Sequence, residues 1–113
     1  MELSFMDAYT LWHRIPYPPV GSTPELRVLR GDLGEADEHA SVVKGFMGTG
    51  LFRPSGADVL AELHSIKART DALCAEYSGD ALANAREIHA YAAVLAIVYR
   101  GFLEAGEAGQ GSA

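Results

Sequence analysis

Apolar side chains recur at intervals of three and four residues along most of the chain, the spacing of amphipathic α-helices. Three long stretches carry this pattern: residues 24–47, 57–77 and 81–105. Each has one apolar stripe: Leu26, Leu29, Leu33, Ala36, Ala40, Val43 and Met47; then Val59, Leu63, Ile66, Thr70, Leu73 and Tyr77; then Ala81, Ala85, Ile88, Ala92, Leu95, Tyr99 and Phe102. No strand-like alternation competes with these stripes, so the pattern predicts an all-α fold.

A shorter helix is predicted before them, over residues 5–13. Ser4 can cap its N-terminus, with Asp7 three residues later in place of the usual Glu of a capping box. Pro16 ends the helix, and the proline-rich segment 15–20 that follows should be extended. One face of the short helix carries three aromatic side chains, Phe5, Tyr9 and Trp12.

Turn and cap residues divide the long helices. Thr23 can cap the second helix, with Pro24 at the favoured first position. The segment Ser78–Asp80 predicts a tight turn with Gly79 at its centre. Short connections favour antiparallel neighbours. We therefore predict an antiparallel three-helix bundle with the short aromatic helix laid across it. Residues 1–106 should form one domain and residues 107–113 a flexible tail.

Composition and charge narrow the functional classes for these 113 residues. A single cysteine, Cys74, excludes a disulfide framework and favours a reducing compartment. The net charge of −6 argues against nucleic-acid binding and against an anionic membrane face. The longest apolar run, 90–99, is short for a membrane span of about 20 residues. The first residues, 1–3, do not resemble a signal peptide. We expect a cytoplasmic protein.

The histidines of the long helices are the natural candidates for a metal site. His39, His64 and His89 fall on three different helices. At 100° per residue they lie roughly 80°, 140° and 100° from the centres of their stripes, so they should not converge. No Glu-x-x-His pair occurs, and no spacing suggests a catalytic triad. The sequence therefore predicts no metal and no cofactor, and it assigns no catalytic residue.

One short motif resembles a known family. The segment Ala40-Ser41-Val42-Val43-Lys44-Gly45 is similar to the histidine-phosphotransfer pattern, in which an exposed histidine is followed three residues later by Lys-Gly. Ser41 stands at the phosphoacceptor position, and His39 lies two residues away. The resemblance implies a helical bundle that docks a receiver domain without accepting phosphate.

Four residues around the end of the aromatic helix are candidates for contact with a ligand or a partner: Trp12, His13, Arg14 and Tyr17. The aromatic helix could cover an open face of the bundle, act as a lid over an apolar pocket, or be exchanged with a partner. A lid predicts an enzyme or a carrier, in which His13, Arg14 or Tyr17 supplies polar contacts.

The last helix has a second apolar stripe opposite the first, Ala90, Val94, Ile97 and Gly101. A helix that is apolar all round should be covered all round. Small residues at positions 90 and 101 would let another helix approach closely. The sequence therefore predicts an interaction module that forms a homodimer through this stripe, while cover by the aromatic helix within one chain is the competing interpretation.

Overall fold

Four α-helices make up the protein in a computed structural model that describes residues 3–46 and 57–111. They are α1 (Phe5–Trp12), α2 (Pro24–Phe46), α3 (Ala57–Glu76) and α4 (Gly79–Gly111). No strand occurs in these two described ranges, and the predicted all-α class is confirmed.

Helix α4 is the centre of the fold. It packs against α1, α2 and α3, and α2 also packs against α3. Two residues join α3 to α4, so these two helices run antiparallel. The result is a three-helix bundle of α2, α3 and α4 with α1 laid on α4, as the hydrophobic pattern predicted.

The predicted capping residues act as expected. The Ser4 hydroxyl accepts a hydrogen bond from the N–H of Asp7 at 3.2 Å. Thr23 Oγ1 accepts one from the N–H of Leu26, also at 3.2 Å, and Pro24 is the first residue of α2. Gly79 has φ +61°, the left-handed conformation that costs glycine little. The hydroxyls of Ser4 and Thr23 therefore satisfy backbone N–H groups that have no partner within their helices.

The three predicted stripes form the core. Their buried members are Leu26, Leu29, Leu33, Ala36, Ala40 and Val43 of α2, Leu63, Ile66, Thr70 and Leu73 of α3, and Ala85, Ile88, Ala92, Leu95, Tyr99 and Phe102 of α4. One predicted feature, the end of the second helix at Met47, lies outside the described residues. The core therefore follows the 3.6-residue period of each helix.

Helix α4 continues beyond its predicted end. The sequence predicted an end near Ala105, but the helix runs to Gly111. This stretch includes alanine and glutamate, which favour helix.

The apolar character of α4 extends beyond its buried face. The helix from Gly79 to Ala105 is long and apolar enough to cross a membrane by length and composition, with a mean hydropathy of 1.3 over its most apolar window. Half of that window is buried inside the chain, and core helices of soluble proteins meet the same criteria. The rest of the window is exposed or only half-buried in the described part of the bundle.

Candidate interaction surface

One face of α4 carries apolar residues that the described part of the bundle buries only in part. Ala90 is exposed, and Ala93 and Ile97 are half-buried. Charged residues continue the same face at both ends, with Arg86 before Ala90 and with Arg100 and Glu104 after Ile97, all three exposed. We call this set of six residues, at spacings of 4-3-4-3-4, the outer stripe.

The outer stripe is rotated about the axis of α4 relative to the second apolar stripe that the sequence predicted. Of the four predicted interface residues, Ala90 is exposed and Ile97 is half-buried. Val94 is only 8% exposed, and Gly101 lies under the ring of Phe5, which a Cβ at position 101 would overlap. Helix α1 therefore covers the Gly101 end of the predicted stripe within the same chain, as the competing interpretation expected. Sequence periodicity cannot show this cover, because it depends on where α1 docks.

A cavity of about 290 Å³ opens beside the outer stripe, between α3, α4 and the N-terminal segment. Its floor is apolar and its rim is basic. The lining residues are Leu3, His64, Lys67, Ala93, Val94, Ala96, Ile97 and Arg100. The cavity and the outer stripe form one continuous surface with small side chains at its centre.

The aromatic helix is fixed to the bundle by a carboxylate that the sequence analysis missed. Asp37 Oδ1 accepts a hydrogen bond from Trp12 Nε1 and another from the Tyr91 hydroxyl, both at 2.7 Å. Trp12 is 8% exposed, so the indole is an internal anchor. Burial, and after it the hydrogen bond to Asp37, raises the pKa of Tyr91. Asp37 follows Ala36 of the core stripe, and nothing in the sequence pattern marks it as the partner of Trp12 and Tyr91.

Tyr17 is held by an equally internal set of contacts. Its hydroxyl donates a hydrogen bond to the carbonyl of Arg30 at 2.5 Å, and its ring meets that of Tyr91 edge-on at 5.3 Å. The Arg30 guanidinium lies 4.9 Å from the Tyr17 ring and donates to the carbonyl of Pro18. Burial raises the pKa of Tyr17, while the charge of Arg30 lowers it. These contacts tie the extended segment to α2.

His13 and Arg14 lie at the surface. His13 Nε2 is 2.5 Å from Lys44 Nζ, and His13 Nδ1 is 2.7 Å from the carbonyl oxygen of Tyr9. An ammonium can only donate, so Nε2 accepts from Lys44 and Nδ1–H donates to Tyr9. Arg14 is exposed. The four candidate contact residues therefore have separate surroundings. None of them lines the cavity beside the outer stripe.

The three helix histidines also have separate surroundings. His64 is exposed on the rim of the cavity beside the outer stripe. The His39 ring lies 5.8 Å from the Tyr99 ring, and His89 Nδ1 lies 3.0 Å from Thr70 Oγ1. Within the described part of the chain no three His, Cys, Asp or Glu side chains are grouped to hold a metal ion.

A second hollow, of about 390 Å³, lies at the start of α4 against the extended segment. Two acidic side chains, Asp80 and Glu87, line it together with Asn84. The Asn84 side-chain amide donates to the carbonyl of Pro19 at 2.8 Å. The amide therefore ties the extended segment to α4, which is a structural role.

The residues of the phosphotransfer-like motif lie on the last turns of α2. Ser41, at the phosphoacceptor position, is exposed, and so is Lys44. Lys44 is engaged by His13, and its ammonium also lies 5.8 Å from the rings of Tyr9 and Trp12. The surface position of Ser41 is compatible with contact to another protein.

Comparison with known proteins gives no relative to reason from. No protein-family model, no curated protein and no solved structure matches the chain at a significant level.

Proposed function

We propose that the protein is a small, acidic, non-catalytic interaction module that associates with a second copy of itself through the outer stripe of α4. The observation that carries the proposal is the apolar face of α4 on which Ala90 is exposed and Ala93 and Ile97 are half-buried. Removing apolar surface from water stabilises association by about 25 cal/mol per Å² before the costs of ordering are counted. A continuous apolar face on a helix favours a protein partner.

The small residues at the centre of the outer stripe favour a helix as the partner. Alanine at positions 90 and 93 leaves the α4 backbone close to the surface, so a second helix can approach it closely. The adjoining cavity gives a larger side chain from that partner a place to pack. Two-fold dimers are the commonest soluble oligomers, and a two-fold pair of α4 helices needs no other protein.

The test uses a substitution that the bundle tolerates. Ile97 is half-buried at the edge of the core, so Ile97→Glu places the charge at the surface and should give a folded protein that no longer associates. Val42 is a matched control, because it is an exposed aliphatic residue on α2, at 48% exposure, and Val42→Glu should leave association unchanged. Val94→Glu is unsuitable, since Val94 is 8% exposed and a buried charge there would destabilise the fold itself.

Light scattering on the purified proteins, with circular dichroism to confirm folding, gives the result. A dimeric native protein, a dimeric Val42→Glu variant and a folded monomeric Ile97→Glu variant support the proposal. A native protein that stays monomeric at high concentration contradicts it. A folded Ile97→Glu variant that is still dimeric shows that another surface associates.

A second candidate function is docking of a receiver domain, favoured by the exposure of Ser41 on α2. The test is titration of the protein into isolated receiver domains, with Ser41→Arg as the blocking variant. Binding that the variant abolishes would support this function. Stabilisation in a thermal-shift screen of small molecules would instead favour an enzyme or a carrier.

A further inference from the structure

The outer stripe has the spacing of a coiled coil. Its intervals of 4-3-4-3-4 follow the alternation of positions a and d in a heptad. The two ends are charged and the centre is apolar. In heptad order the a positions are Ala90, Ile97 and Glu104, and the d positions are Arg86, Ala93 and Arg100.

The charges at the ends select an orientation for two such helices. Arg86 and Glu104 are 18 residues apart, which is five full turns at 3.6 residues per turn, so they point in the same direction. A parallel pair would place Arg86 beside Arg86 and Glu104 beside Glu104. An antiparallel pair centred on residue 95 places Arg86 opposite Glu104 at both ends.

We propose, resting on the self-association proposed above, that two copies pair through α4 as an antiparallel two-stranded coiled coil centred on residue 95. Arg86 of each copy then pairs with Glu104 of the other, and Ile97 of each copy packs against Ala93 of the other. Every a position faces a d position, as antiparallel heptads require. Arg100 lies opposite Ala90, whose small side chain leaves room for it.

The surface of one chain is shaped for this arrangement. Ala93 lines the cavity of about 290 Å³, so Ile97 of the second copy, lying opposite Ala93, has a hollow to enter. Within the described ranges neither Arg86 nor Glu104 makes an ion pair, and both are exposed. The pairing of Arg86 with Glu104 therefore replaces no ion pair of the described residues.

Charge reversal tests the register. In an Arg86→Glu dimer, glutamate faces Glu104 at both ends, and in a Glu104→Arg dimer, arginine faces Arg86 at both ends. Each variant should dimerise about tenfold more weakly than the native protein, the sum of two exposed pairs turned from attractive to repulsive. An equimolar mixture of the two variants restores both ion pairs, and its dimerisation constant should return to near the native value.

Sedimentation equilibrium gives the dimerisation constants of the two variants, their mixture and the native protein. Each is measured at low and at high salt. Glu38→Arg serves as the control, because Glu38 is exposed on α2 and its reversal should leave dimerisation unchanged. The differences between variants should shrink at high salt, because exposed charges are screened.

The outcomes separate this inference from the proposed function. A native dimer whose variants bind as tightly as the native protein, or whose mixture is no tighter than either variant, overturns the antiparallel register but leaves self-association standing. A monomeric native protein overturns both. Selective recovery in the mixture supports the inference.

Discussion

Replacement of Asp37 by asparagine tests whether the internal carboxylate holds the aromatic helix in place. One oxygen of Asp37 accepts two hydrogen bonds of 2.7 Å, from the Trp12 indole and the Tyr91 hydroxyl. Asparagine keeps the size of the side chain and one acceptor oxygen, but it removes the negative charge. The perturbation is therefore electrostatic and leaves no cavity.

The expected loss of stability follows from the two hydrogen bonds. A bond to a charged acceptor contributes about 1.5–3 kcal/mol, and a neutral one about 0.5–1.5 kcal/mol. If both bonds change from charged to neutral, the protein loses about 2 kcal/mol of stability. Because Asp37 is half-buried, water competes for its oxygens and reduces this loss. We therefore expect the free energy of unfolding to fall by about 1–2 kcal/mol.

The assay is urea unfolding followed by Trp12 fluorescence, with alkaline titration of tyrosine absorbance as an independent readout. Burial and the contact with Asp37 both raise the pKa of Tyr91, so in Asp37→Asn that pKa should fall but stay above the ordinary value. Asp32→Asn on the same helix is the control. Its only described ion pair, to Arg69, is partly exposed at 3.9 Å, and its loss should cost less than about 0.5 kcal/mol. Equal stability of Asp37→Asn and native protein, with an unchanged Tyr91 titration, would refute the role given to Asp37.

Three further measurements test the packing. Gly31→Ala should stabilise the protein by about 1 kcal/mol, because a Cβ at position 31 meets nothing within 4 Å. Gly34→Ala should stabilise it less or destabilise it, because a Cβ at position 34 would lie 2.9 Å from the Tyr17 hydroxyl. A larger gain in stability for Gly34→Ala than for Gly31→Ala in urea unfolding would contradict this contact. The raised pKa values of Tyr91 and Tyr17 keep both phenols protonated in the folded state while unfolded tyrosines ionise near pH 10, so stability should be intact below pH 10 and fall above it; a flat profile there would count against their burial. Trp12 should emit at shorter wavelength than free tryptophan, and Trp12→Ala should cost about 3–5 kcal/mol.

The helices and the core were predictable because both follow from short-range spacing. Intervals of three and four residues identified the buried side of each long helix, and local hydrogen-bonding residues such as Ser4, Thr23 and Gly79 marked where helices begin and end. These signals lie within a few residues of the positions that they determine, so the sequence contains them directly.

The surface was less predictable because it depends on contacts between distant segments. The cover of Gly101 by Phe5 joins residues nearly a hundred positions apart, and it moves the uncovered face of α4 from Val94 towards Ala93. The partners of Trp12 could not be foreseen for the same reason, since Asp37 lies on another helix. Periodicity shows that a helix has two apolar faces, but packing decides which one stays open.

Association through the outer stripe of α4 can be measured by sedimentation of the native protein over a wide range of concentration. We expect a species of twice the chain mass of 12.1 kDa that dissociates on dilution, and for Ile97→Glu a folded species with the mass of one chain at every concentration. A native protein that sediments with the mass of one chain throughout the range would contradict it.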